Sequence, residues 1–384
     1  MTKKITKKVI FILILMIFGG LGGIIADRYF FPYLSATKIF SRYEFLKKGS
    51  ENTTIINKTE QVVIKEETSI SKITSQISSA IVNIISYPNS DQKNVLNKSG
   101  NVSKNGTGTI VTGDGIIMTY ASAINLEDSK YEIMTYDGNV YAATLLGVDS
   151  YSNLAFLKVE ASNLAVVSFA DSDSIKAGEK VVAVANSFGS YSNRYSAGLI
   201  GYFNAGYNLS KSVLASSEKL EGIYEADFNF QKYFIGGPVV DYNGQVVGIT
   251  GVVERDNVQS FFLIPSNKVK VVIDRAIKKE LELNPVLGIY YVPLSKTYAI
   301  ENNLSVEAGA LIYSTFGQQG LAIIANSPAQ KAGLKLGDII TAVGDQSITL
   351  EKSFPDLLYT HKKGEQIKLV VLRDGQTLDI LVQL

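Results

Sequence analysis

The chain opens on an apolar block, Val9 to Ala26 (VIFILILMIFGGLGGIIA), eighteen residues without a charge, preceded by Lys3, Lys4, Lys7 and Lys8. A membrane-spanning helix needs roughly 17–25 such residues, whereas the apolar core of a cleaved signal peptide is only about 7–15 long. The block therefore predicts a retained, single-pass signal anchor. Its lysines place the N-terminus in the cytoplasm and everything after Asp27 on the far side. Cleavage after the small residue Ala26 is the competing reading.

Residues 27–70 read as a stalk. An aromatic stretch (Tyr29, Phe30, Phe31, Tyr33, Phe40, Tyr43, Phe45) gives way to one rich in Ser, Thr, Asn and Lys. Ile70, Ile73 and Ile77 recur at helical spacing and predict a short helix over 69–79. From Ile81 the pattern changes to short apolar strands divided by turn pairs: Asp114-Gly115, Asp137-Gly138, Asn243-Gly244 and, later, Asp374-Gly375. Such dipeptides supply the positive φ values that tight hairpins need. No helical period appears between about 80 and 265, which predicts an all-β barrel or sandwich. Then Val269, Val272, Ile273, Ala276 and Ile277 share one face of a helix predicted over Asn267–Leu281. The last hundred residues mix strands with two short helices, Pro328–Ala332 and Ser353–Tyr359, as in a small α+β domain.

Composition narrows the chemistry. Lys+Arg is 37 against Asp+Glu 36, so no long-range field favours a nucleic acid. There is no cysteine, which removes disulfides, thiolate metal sites and thiol catalysis. A single histidine, His361, rules out multi-imidazole zinc sites. Neither a metal nor a cofactor is expected, and any Ser-His-Asp mechanism would have to use His361.

Five segments, in order, resemble the HtrA (Do-like) serine proteases: Gly106–Thr119, Leu146–Lys158 (with Tyr136-Asp-Gly-Asn before it), Ala177–Gly189, Gly236–Thr250 and Phe261–Asn267. Downstream, Val286-Leu-Gly-Ile289, Ala325–Ile340 and Gly364–Gly375 are similar to that family's PDZ domain. The resemblance implies a mainly β fold: a chymotrypsin-type pair of six-stranded barrels followed by a small α+β PDZ domain. The domain plan is then a basic tail 1–8, anchor 9–26, stalk 27–70, protease-fold domain 71–275 and PDZ domain 276–384.

Carried over position by position, the resemblance places Ser122 where the family has its histidine, Asn153 where it has the orienting aspartate, and Ile235 where it has the nucleophile. Tyr233 and Phe234 stand in the oxyanion loop, the former in place of glycine. Ile235 has no hydroxyl and Ser122 is no general base near neutral pH. The expectation is a pseudoprotease that does not cleave peptides. A serine-type endopeptidase with a rearranged site, for instance a Ser-Lys pair using Lys232, is the alternative.

In the PDZ unit Leu287, Gly288 and Ile289 would form the loop whose N–H groups receive a peptide's terminal carboxylate. The implied partners are C-terminal peptides or unfolded proteins, the membrane through the N-terminal helix, and other copies or an active paralogue in a homo- or hetero-oligomer, a trimer by resemblance. The implied setting is the extracytoplasmic face of the cell membrane, in protein quality control.

Overall fold

The computed structural model describes residues 2–30, 33, 71–89, 103–186, 193–210, 212–228, 232–255, 258–315 and 322–384. The expected stalk, apart from residues 27–30 and Tyr33, lies outside them. The N-terminal block is helical as its pattern predicts: α1 runs Thr2–Ile25 and exposes large apolar side chains from Phe11 to Ile25. Among the described residues no helix is long and apolar enough to cross a membrane.

From residue 73 onward the chain is one compact unit. Helix α2 (71–78), which starts two residues before that unit, buries Ile73 and Ile77, one turn apart. The first closed barrel follows: β1 (Ile81–Pro88), β2 (Lys104–Ile110), β3 (Ile116–Tyr120), β4 (Ser129–Met134), β5 (Val140–Val148) and β6 (Leu154–Val159), in spatial order β1-β2-β3-β6-β5-β4. Alternation fills it: Val82 and Ile84 from one strand meet Ala155, Leu157 and Val159 from another, each inward at a spacing of two.

The second closed barrel uses β7 (Lys180–Ala185), β8 (Arg194–Asn208), β10 (Glu221–Asp227), β11 (Pro238–Val240), β12 (Val246–Arg255) and β13 (Val258–Pro265). Between β8 and β10 the chain leaves the barrel to form β9 (Ala215–Ser216), which belongs to a different sheet. Helix α3 (Ser266–Ile277) buries the predicted Val269, Val272, Ile273 and Ala276. It stops earlier than its periodicity suggests because Lys279 takes a left-handed φ of 59° and ends the winding.

The C-terminal unit is built from β14 (Tyr290–Leu294), α4 (Lys296–Glu301), β15 (Gly309–Ile312), α5 (Pro328–Lys331), β16 (Ile339–Val343), β17 (Gln346–Ser347), α6 (Phe354–Tyr359), β18 (Gln366–Arg373) and β19 (Gln376–Gln383). Its sheet has the order β19-β18-β16-β15-β14-β9, with β17 on β16. The predicted turn pairs all join adjacent strands, but only Asp374-Gly375 has positive φ at both residues, 51° and 79°, closing a two-residue hairpin between Arg373 and Gln376. At the other three pairs the glycine alone takes that conformation.

Candidate functional site

Strand β3 ends at Tyr120 and turns through a short 3-10 segment, Ala121–Ala123. The turn buries Ala123 and leaves Ser122 exposed. Asn153 sits beside it, just before β6. Its φ of 60° is a conformation that asparagine tolerates better than most residues. The buried Asp149 builds that bend by accepting from the Ser152 amide (2.8 Å) and hydroxyl (2.6 Å). Asn153 then accepts from the Ala121 amide (2.9 Å) and donates its side-chain amide to the Tyr120 hydroxyl (3.3 Å). Burial pushes that hydroxyl up to about 12, so it stays neutral.

Ser122 and Asn153 both line one cleft of about 900 Å³. Leu209, Ser210 and Lys219, from the excursion around β9, complete part of its wall. Sequence reasoning missed these three because nothing local in the sequence marks a loop that returns to the cleft.

Ile235, Phe234 and Tyr233 do not line it. Lys232 opens a 3-10 turn, Lys232–Phe234, and Phe234 and Ile235 pack into hydrophobic cores. The Thr107 hydroxyl donates to the Tyr233 carbonyl (2.8 Å), and the Arg194 guanidinium lies 5.1 Å over the Tyr233 ring. The backbone amides there point inward: Ile235 to the Lys232 carbonyl (3.4 Å), Gly236 to Thr250 (2.8 Å) and Gly237 to Phe234 (2.9 Å). Gly236 has a φ of 81°, and a Cβ on it would stand 2.2 Å from the Thr119 hydroxyl. His361 is also outside the cleft. It lies just past α6, with Nδ1 3.0 Å from Glu365 and its carbonyl accepting from Arg275 (2.6 Å).

The second cluster of interest is the PDZ loop. Gly288 has a φ of 84°, and a Cβ there would meet the Ser327 Cβ at 2.5 Å. The turn aims the Leu287 and Gly288 amides at one carboxylate oxygen, Glu218 Oε1, at 3.0 and 2.8 Å. The Ile289 amide donates to the Ser217 hydroxyl at 3.1 Å. Those two partners precede the loop by some seventy residues, and no sequence signal links them.

Between the barrels and the PDZ sheet runs a buried polar seam. Arg275 donates to the carbonyls of Tyr359 (2.7 Å) and His361 (2.6 Å) and lies 4.3 Å from the Tyr359 ring centre. Tyr359 donates to Asp149 (2.8 Å), and Lys268 pairs with Asp356 (2.6 Å). Glu221 is almost wholly buried and accepts from the Tyr291 hydroxyl (2.6 Å). Its loss of solvent pushes the carboxyl up to about 7, against the opposing pull of the Tyr291 bond and the Lys268 charge.

A profile described as a trypsin-like peptidase domain matches residues 106–249, and one described as a PDZ domain matches 285–384. The chain is 27% identical to the serine protease Do-like HtrA of Lactococcus lactis subsp. cremoris (strain MG1363), over 96% of this chain and 94% of that protein. It is 31% identical to the serine protease Do-like HtrB of Bacillus subtilis (strain 168), over 65% of this chain but only 55% of that protein. A solved structure of the HtrA-type protease AlgW with a tripeptide shares the fold, with a TM-score of 0.62 at 22% identity, covering 82% of this chain and 95% of that one. The decapeptide complex of the same protease gives a TM-score of 0.60 at 22% identity, covering 82% of this chain and 97% of that one.

These relatives correct one expectation from the sequence. The sequence predicts that the chain is not a peptidase, yet the proteins that match it along most of its length are named serine proteases and endoproteases. Three replaced side chains describe what stands at three positions and do not by themselves fix what a whole cleft can do. The chain carries a trypsin-like peptidase domain followed by a PDZ domain and is a homologue of the HtrA/Do-like serine proteases.

Proposed function

We propose that this chain is a serine-type endopeptidase with a rearranged active site, acting on extracytoplasmic polypeptides whose C-terminal ends its PDZ domain binds. The observation that carries the reading is the open cleft, which gathers three serine hydroxyls, Ser122, Ser129 and Ser210, beside the Tyr120 phenol, and one amine, Lys219. Ser122 stands at the family's histidine position and Asn153 at its aspartate position; the family's nucleophile position, Ile235, is buried in core. The nucleophile is accordingly assigned to one of the cleft serines. Its oxygen adds to the scissile carbonyl while its proton passes to the Lys219 amine in its unprotonated form. The ammonium so formed returns that proton to the scissile nitrogen, the C–N bond breaks with release of the new N-terminus, and water hydrolyses the acyl ester.

Peptide binding at Leu287, Gly288 and Ile289 is supported by the convergence of the Leu287 and Gly288 amides on a carboxylate and by the peptide complexes of the structural relative. An extracytoplasmic setting is supported by relatives named periplasmic. Anchoring through residues 9–26, with the PDZ unit beginning near residue 276, completes the proposal.

Purified full-length chain should acquire a fluorophosphonate adduct on a cleft serine, mapped by mass spectrometry, and should hydrolyse unfolded casein. S122A, S129A or S210A, whichever removes the adduct, should lower turnover at least about a hundredfold. No adduct and no turnover would overturn the enzymatic reading. Carbonate-resistant retention in the membrane fraction tests the anchor.

A further inference from the structure

Strand β14 is the outermost strand that the PDZ unit itself supplies to its sheet, beside the loop Leu287–Ile289, where an added peptide strand would pair. That edge is already taken. Ala215 and Ser216 pair antiparallel with Tyr291 and Tyr290. The Ser217 amide donates to the Ile289 carbonyl at 3.1 Å, continuing the same ladder. The next residue, Glu218, supplies the carboxylate that receives the Leu287 and Gly288 amides. The carboxylate is itself held in place: the Ser216 hydroxyl donates to Oε2 (2.9 Å) and the Ser217 hydroxyl to Oε1 (2.6 Å). Strand direction, ladder register and carboxylate position all match what a bound C-terminal peptide would present. The space left beside Ser217 and Glu218, against Pro355 and Tyr359 of α6, is about 40 Å³. That is room for about one water, whose share of liquid volume is roughly 30 Å³, and not for a peptide side chain.

We infer that residues 215–218 are an internal occupant of the PDZ groove, with the Glu218 side chain standing in for a terminal carboxylate, so that a peptide with a free C-terminus binds only by displacing it. The inference rests on the peptide-binding reading above and deepens it by naming the competitor. A peptide with an amidated C-terminus cannot deliver the charge that Glu218 delivers, so it should not displace the segment. The affinity measured on the intact chain is then the intrinsic affinity scaled down by the fraction of molecules whose groove is open.

The test uses full-length protein and a fluorescein-labelled pool of decapeptides ending in Ala, Val, Leu or Phe, once with free and once with amidated C-termini. E218Q should bind the free-carboxyl pool about tenfold more tightly than the wild type, the factor expected if the open fraction rises from roughly a tenth towards one. The amidated pool should bind neither. In parallel, hydrogen exchange at the Leu287–Ile289 amides of the peptide-free chain should accelerate at least about tenfold in E218A. Equal peptide affinities in wild type and E218Q, or unchanged exchange in E218A, would overturn the inference while leaving PDZ binding intact. If no variant binds either pool, the peptide-binding reading fails, and the exchange rates alone decide whether Glu218 holds the loop.

Discussion

Glu221 makes the stability of this protein depend on pH in a direction that can be calculated. Burial beside the Lys268–Asp356 pair raises its carboxyl from an ordinary 4.5 to about 7. Between those two values the native state holds a proton that the unfolded state has released. The slope of unfolding free energy with pH is then negative: stability falls as pH rises from 4.5 towards 7 and levels off above it. For a single site with these two values the loss between pH 5 and pH 8 is about 2.5 kcal/mol. E221Q keeps an acceptor for the Tyr291 hydroxyl and removes the titration. The chain has 21 tyrosines and no tryptophan, so urea unfolding can be followed by tyrosine emission at the two pH values. The expected result is a variant whose stability relative to wild type improves by about 2.5 kcal/mol on going from pH 5 to pH 8. A difference that is the same at both pH values would refute the assignment of a raised carboxyl to Glu221.

Other perturbations test the framework. G236A forces a Cβ to 2.2 Å from the Thr119 hydroxyl at a left-handed backbone position. It should cost about 3 kcal/mol, read as a lowered urea midpoint with unchanged slope. R275A leaves the Tyr359 and His361 carbonyls without their charged donor. A loss of about 3–5 kcal/mol is expected, with R275K failing to restore it because one ammonium cannot serve both the Tyr359 and His361 carbonyls, held by one guanidinium nitrogen, and the Leu283 and Asn284 oxygens, held by the other. D356N weakens the Lys268 pair and the capping box at the start of α6. It should cost about 2 kcal/mol, and calorimetry that shows no shift would count against that network.

Much of the architecture was legible because it is written in local patterns. Alternating residues such as Val82 and Ile84 announce strands, the Asp374-Gly375 pair announces a hairpin, and Val269, Val272, Ile273 and Ala276 announce a helix face. The short helix α4, Lys296–Glu301, was not anticipated: at six residues it has too few turns for a period to show, and its one clear mark is the Ser295 cap. The site was legible in part. Ser122 and Asn153 were placed together because order within a resemblance carries over, and the structure sets both in one cleft. Ser210, Lys219, Ser217 and Glu218 escaped because they come from an excursion whose partners are far away along the chain. Arg275 escaped for another reason: a basic residue in a helix normally reads as solvent-facing, and only the seam around Tyr359 explains its burial.

The pairing of β9 with β14 also bears on how the chain survives among other unfolded chains. An unpaired strand edge is a template for any extended polypeptide, and proteins that leave one bare invite edge-to-edge aggregation. Here a two-residue strand blunts that edge from within the same molecule. It is too short to nucleate a sheet of its own, yet it is covalently tethered and so always at hand. A version of the PDZ unit cut away from the barrels would lose this cover and should prove the stickier protein.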